Sequence, residues 1–126
     1  MQKQLFGFVF SLVIISSLFA FSPAYNAINW KQTSVEFGKI QKGKPVTASY
    51  EFVNTGEKPV VIQSAKGSCG CTGVEYSKEA IPAGQASTIK ATFNAAKVGA
   101  FNKTVTVMIA GDEKPMVLRF NGEVVE

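Results

Sequence analysis

Val46-Thr47-Ala48-Ser49-Tyr50-Glu51-Phe52 alternates apolar and polar side chains without a break. Successive side chains of a strand point to opposite faces, so this period of two predicts a strand with one buried and one wet face. The turn that follows, Asn54-Thr55-Gly56-Glu57-Lys58-Pro59, supplies a glycine free to take positive φ and a proline with fixed φ. Val60 to Ala65 is the next expected strand, then Val74 to Tyr76 beyond a glycine-rich stretch. After the turn Ile81-Pro82-Ala83-Gly84, residues Ile89, Ala91 and Phe93 alternate with Thr88, Lys90 and Thr92.

The pattern recurs at Val105 to Ile109, past a bend at Val98-Gly99, and at Val117 to Phe120, after the turn Gly111 to Pro115, with the domain closing near Gly122. No stretch from Thr33 onward keeps a helical period over three turns. Roughly seven short strands separated by Gly, Pro and Asn clusters predict an all-β protein. The expected form is an immunoglobulin-like antiparallel β-sandwich of two layers. Its expected core is Val35, Phe37, Val46, Ala48, Tyr50, Phe52, Val60, Ile62, Ile89, Ala91, Phe93, Val105, Val107, Ile109, Leu118 and Phe120.

Ahead of this domain, Lys3 precedes the uncharged apolar run Leu5 to Phe21, and small residues follow at Ser22-Pro23-Ala24. That order predicts a signal peptide over residues 1–24, cleaved after Ala24, and a domain over residues 25–126. Left uncleaved, the same segment would be a membrane anchor, and it offers the chain's one route to a bilayer. The expected location is exported: periplasmic, cell-envelope or extracellular. Loss of Lys3 lowers the formal charge from +4 to +3. Scattered lysines without interleaved aromatics argue against a nucleic-acid groove.

Chemistry-bearing motifs are few. Gly38-Lys39-Ile40-Gln41-Lys42-Gly43-Lys44 has the spacing of a phosphate-binding loop, but Pro45 stands where a magnesium-binding hydroxyl is needed, and a strand follows instead of a helix. Absence of histidine removes Ser-His and Cys-His pairs and the common zinc motifs. The expectation is a non-enzyme with no cofactor. The sequon Asn102-Lys103-Thr104 carries no weight by itself.

Ser68-Cys69-Gly70-Cys71-Thr72 holds both cysteines and is the candidate binding surface. Two thiols without imidazole do not complete a zinc site. They leave four readings: a local Cys69–Cys71 disulfide, a bridge to another chain, small buried hydrophobes, or a thiol pair that binds copper(I) or exchanges disulfides.

In order, F-G-K-I-Q-K-G, Y-E-F-V-N-T-G-E-K-P-V, S-C-G-C-T, I-P-A-G and F-N-K-T-V-T-V resemble the bacterial family known as domain of unknown function 1573, from about Val35 to Val124. The family is similar in layout to immunoglobulin-like domains of the major sperm protein and Hydin type, and its members are typically exported. The resemblance implies the sandwich and the compartment, but no activity or ligand. The expected role is a binding or structural module whose partner is a protein or cell-envelope component, acting through the S-C-G-C-T loop or an open sheet edge at Val105 to Ile109. The alternative is a copper(I) or redox protein using Cys69 and Cys71. Phe52→Asp is expected to abolish cooperative thermal unfolding, because a carboxylate would enter the core; an unchanged melt would remove Phe52 from it.

Overall fold

The computed structural model describes residues 28–126, and the expected signal peptide and its cleavage site lie outside them. Eight strands follow one another: β1 (Ile28–Trp30), β2 (Ser34–Gln41), β3 (Val46–Asn54), β4 (Ile62–Gly67), β5 (Thr72–Glu75), β6 (Ala86–Phe93), β7 (Gly99–Ile109) and β8 (Met116–Val125). They form two four-stranded sheets, ordered β1-β3-β6-β5 and β2-β8-β7-β4. The all-β sandwich expected from the alternation is present, with one departure from a purely antiparallel arrangement: β2 runs parallel to β8.

That parallel pair arises because the chain changes sheets between Trp30 and Ser34. Lys31 N–H still donates to the Glu51 carbonyl in the first sheet (2.9 Å), whereas the Thr33 carbonyl accepts from Arg119 N–H in the second (2.9 Å). Ile28 to Trp30, too short to show a period, pairs antiparallel with β3, and the Trp30 ring packs on Phe52 at 4.8 Å between centroids.

On β3 the inward side chains are Ala48, Tyr50, Phe52 and Asn54, all fully buried. Ala48, Tyr50 and Phe52 share one core cluster with Val105, Val107, Leu118 and Phe120 of the opposite sheet. Phe93 of the first sheet stacks on Phe101 of the second at 4.4 Å and approaches Phe120 at 6.0 Å. Each such ring contributes on the order of 1.5–3 kcal/mol by leaving water. Tyr50 also crosses the layers with its hydroxyl, which donates to the Arg119 carbonyl at 2.6 Å.

Several boundaries differ from the sequence expectation. Val35, Phe37, Val46 and Ile109 are only half-buried, because β2 is an edge strand and the other two sit at strand ends. Ala65, Ile81, Ala95, Phe101 and Val124 join the core instead. β8 does not stop near Gly122 but runs on to Val125, and Gly122 lies inside the strand for a steric reason. A Cβ there would stand 2.7 Å from the Gly38 carbonyl oxygen and 2.8 Å from the Phe101 ring. Glycine is required by close approach and marks no chain break. The Val60 to Ala65 strand is likewise displaced: β4 begins at Ile62, and Val60 forms an isolated bridge to Ile81.

Burial pushes the Tyr50 hydroxyl from its usual 10.0 up to about 12. The folded state therefore keeps its proton where the unfolded chain has lost it, so folding stability is full below pH 10 and falls as pH rises from 10 towards about 12. Tyr50→Phe is expected to lose about 1 kcal/mol at neutral pH, from the inter-sheet hydrogen bond, and to flatten this alkaline decline. Denaturant melts at neutral and alkaline pH check both effects; a decline identical to the parent's would contradict the assignment.

Candidate functional site: the crosslinked sheet crossing

The S-C-G-C-T stretch is where the chain leaves the edge of one sheet and enters the edge of the other, since β4 borders the second sheet and β5 the first. Such a crossing must turn sharply without orphaning backbone groups. Ser68 solves this on the β4 side: its N–H donates to the Thr104 carbonyl (2.8 Å), and its Oγ accepts from Thr104 N–H (3.1 Å). On the β5 side the Cys71 carbonyl accepts from Asn94 N–H (3.2 Å), and Thr72 starts the ladder opposite Phe93. Within the turn, Thr72 N–H reaches the Cys69 carbonyl at 3.4 Å.

Cys69 and Cys71 are joined in a disulfide, with their Cα atoms 5.3 Å apart. An extended strand would hold them about 6.6 Å apart, so the turn at Gly70 brings them together. Both are half-buried, but their surroundings differ. Cys71 packs against the hydrophobic core, while the Cys69 sulfur lies 3.8 Å from the buried Thr72 Oγ1. Gly70 is an exposed tip, with no atom beyond its two cysteine neighbours within 4 Å of where a Cβ would stand. Gly67 is crowded: a Cβ there would meet the Thr72 Cβ at 3.0 Å. While the sulfur–sulfur bond is closed, neither atom is the thiolate that copper(I) requires. Among the described residues no group of three or more Cys, Asp or Glu is gathered to hold a metal ion.

Two neighbouring loops complete this end of the sandwich, and the sequence alone did not associate them with the cysteines. The Asn94 to Val98 loop carries exposed Lys97 and Val98, the latter 50% exposed. Ala95 takes φ 53, a conformation usually left to glycine, yet it is buried. Its carbonyl accepts from Gly43 N–H (2.9 Å), linking this loop to the turn that contains exposed Lys42 and Lys44. Lys42 N–H is bonded to the Val125 carbonyl and Lys44 N–H to that of Gln41. The amides of G-x-x-x-x-G-K are thus engaged within the fold rather than free to cradle a phosphate. The proposed alternative edge, Val105 to Ile109, is no edge: β7 lies between β8 and β4.

At the far end of β3, Asn54 organises the opposite loops. Its side-chain amide donates to the Lys58 and Ile81 carbonyls (2.8 and 2.9 Å), and its Oδ1 accepts from Gly56 N–H (3.0 Å). No buried side-chain nitrogen or oxygen among the described residues lacks a hydrogen-bond partner. On the outer face of the first sheet, Lys31 and Glu51 line a shallow hollow and pair with one another at 3.0 Å.

Two packed four-stranded sheets define an immunoglobulin-like sandwich. The family model described as protein of unknown function, DUF1573, matches residues 28–124, and the chain belongs to that family. No curated protein matches the sequence. Among solved structures, a protein of unknown function from Porphyromonas gingivalis W83 is similar with a TM-score of 0.65 at 11% identity, over 77% of this chain and 46% of that one. The ASH/PapD-like domain 7 of human CEP192 gives 0.61 at 13% identity, over 82% and 89%. The VesB protease of Vibrio cholerae gives 0.60 at 15% identity, over 78% of this chain but 32% of its own. The chain therefore spans less than half of the Porphyromonas protein and about a third of the protease. At these identities the likeness shows the fold alone.

Replacing both Cys69 and Cys71 by Ser is expected to leave the sandwich folded and to lower its stability by roughly 1.5 kcal/mol, because a bond across one residue closes a very small loop. Circular dichroism and a denaturant melt test this. An unfolded double variant would make the disulfide a requirement of the fold.

Proposed function

We propose that the protein is an exported, non-catalytic binding module whose docking surface is the sandwich end formed by Ser68, Cys69, Gly70, Cys71 and Thr72 with the two loops beside them. One observation carries this reading: three loops are hydrogen-bonded to one another and to the strand ends behind them, and together they present Val98 and Lys42, Lys44 and Lys97 to solvent. Loops held on a rigid sheet scaffold are a common place for recognition. An exposed apolar residue among cations suits a protein or cell-envelope component with a negatively charged surface. Export is supported by the charged start and apolar run of residues 3–21 and by a closed disulfide, which persists in oxidising compartments. The absence of histidine from the sequence supports a role without acid–base catalysis.

A photo-crosslinking side chain placed at Val98 or at Val61, an exposed residue in the connection before β4, tests the reading in cells that make the protein. Crosslinks to a discrete partner are expected from position 98 and not from 61, and Lys42→Glu with Lys97→Glu should reduce them at least about tenfold. Equal adducts from both positions, insensitive to the charge change, would contradict it.

A further inference from the structure

We propose that Cys69 and Cys71 form an exchangeable redox pair, with Cys69 the sulfur that a dithiol partner attacks and Cys71 the sulfur that leaves. The inference does not depend on the loop end being a docking surface, because it concerns the chemistry of the bond itself.

The backbone holds both cysteines in place whether or not the bond exists. Ser68 is fixed to Thr104 by two hydrogen bonds, and Cys71 is fixed to Asn94 by one, with Thr72 already in the β5–β6 ladder. Opening a bond that spans one residue releases little chain entropy, so the reduced form stays folded with its thiols still adjacent. The two sulfurs are also unequal. Cys71 is seated against the core. Cys69 is not, and its sulfur lies within hydrogen-bonding distance of the Thr72 hydroxyl at 3.8 Å. That hydroxyl can donate to Cys69 when it is a thiolate, which stabilises the reduced state. Apart from the two cysteines themselves, no atom lies within 4 Å of a notional Cβ at Gly70, so no other part of the chain covers the tip of the turn.

Exchange then proceeds in two displacements. A partner thiolate bonds to the Cys69 sulfur as the Cys69–Cys71 bond breaks, and the electron pair departs on Cys71, which takes a proton from water. The partner's second thiolate attacks its own sulfur in the mixed disulfide, expelling Cys69 as a thiolate beside Thr72. The partner dithiol has been oxidised to a disulfide, and the pair has gained its two electrons.

Equilibrating the full-length oxidised protein in buffers of glutathione and glutathione disulfide, with alkylation and mass spectrometry, tests the proposal. The pair is expected to titrate between disulfide and dithiol while the circular-dichroism spectrum stays that of the folded chain. Cys71→Ser is expected to accumulate a glutathione adduct on Cys69. In that variant, Thr72→Val should slow alkylation of Cys69 about fivefold to tenfold, the loss of one hydrogen bond to an anion, and move its pH profile upward. A pair that resists excess glutathione while folded, or unfolds on reduction, would overturn the proposal. So would preferred capture at Cys71 in the Cys69→Ser chain, or alkylation indifferent to Thr72. Should a serine variant fail to fold, the wild-type titration decides by itself.

Discussion

The inner face of β3 has to be buried over its whole length and bonded wherever it is polar, and the other elements are arranged around that demand. Ala48 and Phe52 contribute apolar surface. Tyr50 adds a hydroxyl that would be costly to bury alone, by roughly 1–3 kcal/mol, and the Arg119 carbonyl removes the penalty. Because that carbonyl belongs to the opposite sheet, one hydrogen bond also fixes how the layers face each other. Arg119 passes the constraint on through its N–H to Thr33, where the chain has just changed sheets. Asn54 ends the face in the same manner, gathering Gly56, Lys58 and Ile81 around a buried amide.

With the layers fixed in this way, strand ends rather than strand faces carry whatever is distinctive. The crossing from β4 to β5 joins one sheet's edge to the other's, and it does so with backbone bonds to Thr104 and Asn94 on either flank of the disulfide. The sulfur–sulfur bond is accordingly an addition to a turn already closed by amides. This separation makes a chemically active pair compatible with a stable sandwich.

Much of the fold was legible because alternation over β3, β6 and β7 leaves one reading of which face is buried. Even the burial of Asn54 was written in that parity, as the next inward position after Ala48, Tyr50 and Phe52; turn chemistry at Asn54-Thr55-Gly56 hid it. Phe101 was missed because the strand past the Val98-Gly99 bend was expected only from Val105, whereas β7 starts at Gly99. The parallel β2–β8 pair and Gly122's contact with Gly38 and Phe101 depend on segments far apart in sequence, and local pattern holds no trace of them. For the site, the sequence singled out Cys69 and Cys71 by chemistry alone. The Lys42 to Lys44 turn drew notice only for a phosphate-loop spacing, the Asn94 to Val98 loop for nothing beyond its bend, and only topology brings them to the same end as the cysteines.

Amide hydrogen exchange, followed residue by residue in the oxidised and reduced protein, tests most directly whether the sandwich stands on β3 rather than on its disulfide. The account predicts that amides of β3 and β6 exchange only through global unfolding in both states, with changes on reduction confined to Ser68–Thr72 and the contacting stretches around Asn94 and Thr104. Loss of protection at Tyr50 and Phe52 once the cysteines are reduced would contradict it.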